Sequence, residues 1–187
     1  MPHSLFCDDN CVFAPATKYI PWGLHQQCLI RKVFHPHITI CVEGAGDHDR
    51  AKEMATRALM MWVEPLRIAN TPLSHEIEFD CQRPDGWIVV KRQWEREHTQ
   101  GNVVTVSDQS AFGTYLHEFG HAFACIGDTY VNGLAGHCLF GQPHSVMCDG
   151  LLRKDLSDDD IKAVRFQFRT LVQTLSESQS DPNDDNL

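Results

Sequence analysis

The sequence predicts an α+β (mixed α/β) domain, and three observations carry that prediction. Alternating β-branched residues in "HPHITICVEG" read as a strand ending at Gly44. Apolar residues at helical spacing follow at once in "DHDRAKEMATRALMMWVEPLR". Three further strand-like runs then precede two more helical patterns, with no internal repeat.

Each element has its own signal. In the first helix Ala51, Met54, Ala55, Ala58, Met61 and Trp62 recur on one face, and Pro65 lies near the end. "HEIEFDCQ", "GWIVVKRQW" and "GNVVTVSD" read as strands, the first two separated by a Pro-Asp-Gly turn. "SAFGTYLHEFGHAFACIG" reads as an apolar helix, with Ser110 expected at its N-cap and Gly127 expected to end it in a left-handed conformation. A glycine-rich loop follows to about residue 150. "LSDDDIKAVRFQFRTLVQTLS" reads as a closing helix: Ser157 can cap it, and Asp158, Asp159 and Asp160 sit in the first turn, where the helix dipole favours anions.

A length of 187 residues fits one domain, and 42% hydrophobic residues with four tryptophans suit a globular core. Residues 1–32 carry scattered prolines and cysteines and read as a wrap around the domain or a pro-segment. Residues 33–172 form the expected folded domain, and residues 173–187 an acidic disordered tail. The formal net charge of −9 argues against a nucleic-acid partner, which would need clustered Lys and Arg. No run approaches the length of apolar sequence that spans a membrane, and the first residues lack the pattern of a signal peptide. Eight cysteines, none in a CxxC pair, are expected to form disulfides, with Cys138–Cys148 a plausible bridge. A secreted or extracellular location is therefore expected, with a cytoplasmic one as the alternative.

The chemistry concentrates in "YLHEFGHAFACIGDTY". His117 and His121, four residues apart, share a helix face and can aim both imidazoles at one metal ion. Neutral imidazole suits Zn²⁺, and a catalytic zinc site ordinarily has three protein ligands and one open position. Glu118 is rotated about a hundred degrees from His117 around the helix, which suits a general base and acid beside the ion rather than a ligand. A downstream glutamate ligand is essentially excluded, because Glu177 is the only Glu after Glu118. Asp128 is the leading third ligand, and His137 and His144 in the following loop are rivals for that place.

The combination of "HEFGHAFACIGD", "HSVMCDG" and "LSDDDIKAVRFQF" resembles the metzincin zinc metallopeptidases, over roughly residues 33 to 172. The stretch around the histidines is most similar to the IgA-peptidase-like members. That resemblance implies a twisted sheet with a long backing helix, an active-site helix, a Met-turn at Met147 forming an apolar floor under the metal, and a C-terminal helix. It departs from the family pattern at Ala124, where a glycine is usual, and at Gly127, where the third ligand would fall, one residue before Asp128.

The function expected is a zinc-dependent endopeptidase acting on a protein or peptide substrate. Zinc would sit on His117, His121 and Asp128, and Glu118 would activate water without an acyl-enzyme. Tyr130 is a candidate helper for an oxyanion, and "GNVVTVSD" a candidate strand for pairing with substrate. Cys7 is read as a disulfide partner, or alternatively as a thiolate latch over the open metal position. Two other functions fit the same residues: a catalytically silent zinc-containing binding protein, and a hydrolase of a non-peptide amide or ester.

Overall fold

The computed structural model describes residues 37–67, 76–82, 88–92, 97–100, 102–128, 145–149 and 153–179. The 1–32 segment, His137, His144, Cys7, Cys138, Tyr130 and residues 180–187 lie outside the described residues.

Among the described residues a mixed five-stranded sheet organises the fold, together with three α-helices. Its strands are β1 (His37–Gly44), β2 (Glu76–Phe79), β3 (Ile88–Arg92), β4 (His98–Gln100) and β5 (Val103–Val106), in the spatial order β2-β1-β3-β5-β4. β1 pairs parallel with β2 and β3, and β3 pairs parallel with β5. Only β4 runs the other way, with His98 opposite Thr105 and Gln100 opposite Val103. Central position explains the composition of β1: Ile38 to Val42 are all buried, as strands covered on both faces require.

α1 (His48–Val63) follows β1 through a turn in which Gly44 and Gly46 take positive φ of 97° and 116°, a conformation that a Cβ disfavours. Asp47 caps the helix by accepting from the Arg50 N–H at 3.0 Å. Ala51, Ala55, Ala58, Leu59 and Trp62 form its buried face. Pro65 turns the chain into a single 3₁₀ turn at Glu64–Leu66.

α2 (Phe112–Ala122) packs across α1, and the Trp62 indole N–H donates to the Leu116 carbonyl at 2.8 Å within the core. Its start differs from the sequence expectation. Ala111 is the N-cap and makes no side-chain cap bond, whereas Ser110 spends its hydroxyl on the preceding turn, accepting from the Ser107 N–H and donating to Glu97 Oε1. Its end differs too. The left-handed residue is Cys125, at φ 54°, not Gly127, and the Ile126 N–H reaches back to the Gly120 carbonyl. Gln167 on the closing helix donates to the Cys125 carbonyl, which helps hold this disfavoured conformation.

α3 (Asp158–Gln179) closes the domain, capped as expected by Ser157. It extends helically over residues 173–179, which the sequence pattern places in the tail. Arg165 ties it to the carbonyl of Pro65. Cys41 and Cys81 form a disulfide between β1 and the end of β2, and Cys125 and Cys148 are also disulfide-bonded. Among the described residues no cysteine is free and no helix is long and apolar enough to cross a membrane.

Candidate metal centre

α2 is buried around almost its whole circumference, and the stripe carrying His117 and His121 is the partly open one. The neighbouring Glu118 is only 5% exposed. The two imidazoles meet edge to face, with ring centroids 4.7 Å apart.

The orientation of each ring is fixed from behind. His117 Nδ1 lies 2.8 Å from the Val146 carbonyl and His121 Nδ1 lies 2.6 Å from the Ile126 carbonyl. A carbonyl oxygen only accepts, so each Nδ1 carries the proton and donates. In the neutral ring Nε2 then holds a bare lone pair. The two Nε2 atoms stand 3.2 Å apart, and Asp128 Oδ1 stands 3.2 Å from each. Three electron-rich atoms at that spacing repel one another unless a cation or a proton lies among them. Donor atoms held at about 2.0–2.1 Å by a tetrahedral zinc would be roughly 3.3–3.4 Å apart, so the triangle fits such an ion closely. His117, His121 and Asp128 are thus a group that could hold a metal ion. The structure brings together all three residues named from sequence, and the Ile126 carbonyl and Asp128 both depend on the turn at Cys125.

Electrostatics agree with this geometry. Burial is the largest influence on His117 and disfavours its charged form. The hydrogen bonds to Asp128 and Val146, with the negative charges of Glu118 and Asp128, outweigh it and raise the pKa above the usual 6.5. The pocket attracts positive charge.

Met147 packs against α2 at Gly120, on the helix that carries both histidines. It is fully buried, and a Cβ placed on Gly120 would collide with its Sδ and come within 2.9 Å of the Trp62 ring. Gly120, in the turn between the two histidines, is therefore what allows the methionine to approach the helix.

Two groups of residues around the site were not assigned a role there from sequence. Thr99 on β4 donates to Glu118 Oε2 at 2.7 Å, and its oxygen also lies 3.0 Å from the Glu118 carbonyl. A three-residue polar strand carries no periodicity by which to find it. Ser145 and Asp160 lie behind Val146. Their available signal was the Ser157-x-x-Asp160 capping spacing, which points to a helix start and nothing more. The strand proposed to pair with substrate also changes. β5 is flanked by β3 and β4, so its hydrogen-bonding edges are used, and the terminal strand on this side is β4.

No family model matches the chain, and no curated protein matches it significantly.

Proposed function

We propose that this chain is a zinc-dependent endopeptidase of metzincin type. The observation that carries the reading is the triangle of His117 Nε2, His121 Nε2 and Asp128 Oδ1, with a buried glutamate on the same helix. The Met-turn position of Met147, the closing helix and the mixed sheet ending in an antiparallel strand support the metzincin assignment.

Zinc bound there would supply a Lewis acid for a scissile carbonyl and acidify water for attack at neutral pH. His117, His121 and Asp128 hold the ion, and the carbonyls of Val146 and Ile126 keep both rings in the tautomer that presents Nε2. Glu118 takes the proton of the attacking water and returns it to the leaving amine. Thr99 occupies Glu118 Oε2 and so keeps the carboxylate in one orientation. An extended substrate pairs along the outer edge of β4, which places its backbone beside Thr99 and Glu118.

The test is cleavage of a mixed peptide library by zinc-loaded protein beside Glu118→Ala protein with matched zinc content. Cleavage by the first and not the second is the expected result. Zinc at one equivalent with no cleavage by either protein would favour a binding role instead. Glu118-dependent turnover of simple esters or non-peptide amides, without peptide cleavage, would move the substrate class.

A further inference from the structure

The bond behind His117 does not end at a backbone carbonyl. Val146 O belongs to the peptide group whose N–H is that of Met147, and that N–H donates to Ser145 Oγ at 3.1 Å. Ser145 Oγ in turn donates to Asp160 Oδ1 at 2.6 Å, and Asp160 is 2% exposed. Each group in the row uses its donor forward and its acceptor backward. The sequence is His117 Nδ1–H to the 146–147 peptide, that peptide to the Ser145 hydroxyl, and the hydroxyl to a buried carboxylate.

We infer that Ser145 and Asp160 are positioning residues for metal binding, acting on His117 through the 146–147 peptide group. Hydrogen bonds in such a row polarise one another, so the carboxylate's charge strengthens the pull of Val146 O on the imidazole N–H. That shifts electron density toward Nε2 and makes His117 the better metal donor. A carboxylate bonded directly to a ligating histidine does the same. Here the effect is delivered through a hydroxyl and a peptide.

The other contacts of Asp160 make the row rigid. Its Oδ2 accepts from the Val146 N–H at 3.0 Å, from the Ser157 N–H at 2.8 Å and from the Ser157 hydroxyl at 2.7 Å. One carboxylate thereby joins the first turn of α3 to the residues under the metal site. His121 provides an internal comparison, because its Nδ1 bonds Ile126 O and no Ser145 or Asp160 contact reaches that carbonyl. The inference rests on reading His117 as a metal ligand and is independent of peptidase activity.

The experiment uses the full chain labelled with ¹⁵N at histidine, as wild type, Ser145→Ala, Asp160→Asn and Asp159→Asn, the last altering a partly exposed carboxylate of the same turn that faces Lys162. Zn²⁺ affinity is measured by chelator competition, and the two Nδ1–H resonances are followed by NMR in the zinc-loaded proteins. Ser145→Ala and Asp160→Asn should each weaken zinc binding about tenfold and move the His117 resonance while His121 stays in place. Asp159→Asn should change neither. The inference fails if the His117 resonance does not move, whatever happens to affinity, or if both histidines move together, since either result describes general loosening. If Asp160→Asn does not fold, Ser145→Ala decides alone, because it leaves the Asp160 bonds to Val146 and Ser157 intact. A wild-type protein that takes up no zinc at micromolar concentration would overturn the metal reading itself, and this inference with it.

Discussion

Replacing Gly120 by alanine tests the packing under the metal site, because two effects of opposite sign meet there. Within a helix, glycine to alanine ordinarily gains about 0.8–1 kcal/mol from the lower backbone entropy of the unfolded chain. Here the new methyl would meet Met147 Sδ and the Trp62 ring. Methionine is flexible, but Met147 is 0% exposed and enclosed by the core, so its thioether has little room to withdraw. Trp62 is stiffer still, since its indole N–H is held by the Leu116 carbonyl. Overpacking of this kind costs about 1–3 kcal/mol, and the pinned neighbours place this site in the upper half of that range. The net expectation for Gly120→Ala is a loss of about 1–2 kcal/mol in urea unfolding of the metal-free protein. Zinc affinity should fall as well, because displaced Met147 shifts the Val146 carbonyl behind His117. Adding Met147→Ala to Gly120→Ala should recover part of the loss, a coupling that a double-mutant cycle isolates. A Gly120→Ala protein as stable as wild type, or more so, would refute the close approach of Met147 to the helix.

Asp128→Asn should lower zinc affinity about tenfold or more, as measured by chelator competition, because a neutral amide oxygen replaces an anionic donor. Thr99→Val keeps the shape of the β4 residue but removes the hydroxyl that holds Glu118. It should reduce kcat about tenfold with KM and zinc content nearly unchanged, and Thr99→Ser should restore most of the rate. In the metal-free protein His117 has a pKa raised above 6.5, first burdened by burial and then lifted further by Asp128 and its other partners. A raised folded-state value contributes stability that is complete below the unfolded value and is lost as pH rises through the folded one. Metal-free stability should therefore decline from about pH 6.5 upward while zinc affinity climbs over the same range, since the ion must displace that proton. Unfolding and competition titrations from about pH 5.5 to 8.5 check both trends, and parallel slopes would contradict the shared site.

How much of this was legible in the chain depends on how local each signal is. His117, Glu118 and His121 are fixed by helical periodicity alone, and the strands rich in Val and Ile declare themselves by composition. Asp128 was reached by weighing ligand schemes and by resemblance, because the turn that delivers it is not encoded by glycine. Sequence preference puts the left-handed residue at Gly127, yet Cys125 occupies that conformation, held by the Ile126 to Gly120 bond, the Gln167 contact and its own disulfide. Ser110 looks like an N-cap because its residue type is right, but Glu97 and Ser107 claim its hydroxyl. β4 was missed because three residues are too few to show alternation, and its position beside α2 is a tertiary fact. The row from Val146 to Asp160 joins residues from two segments, and nothing in either segment alone announces the other.

The position of the closing helix has a consequence for how the protein is made. A ribosome completes the sheet, α1 and the side chains of His117, His121 and Asp128 before it reaches Met147, and adds Asp160 later still. For that interval the nascent chain presents His117 and His121 without Met147 packed against their helix, and without the carboxylate that braces the support of His117. On the proposed zinc reading, metal captured then would be held loosely and exchange freely, and the choice of ion would be settled only after the first turn of α3 has emerged. A premature stop between Asp128 and Ser157 would leave a product with every ligand in its sequence and no clamp to align them.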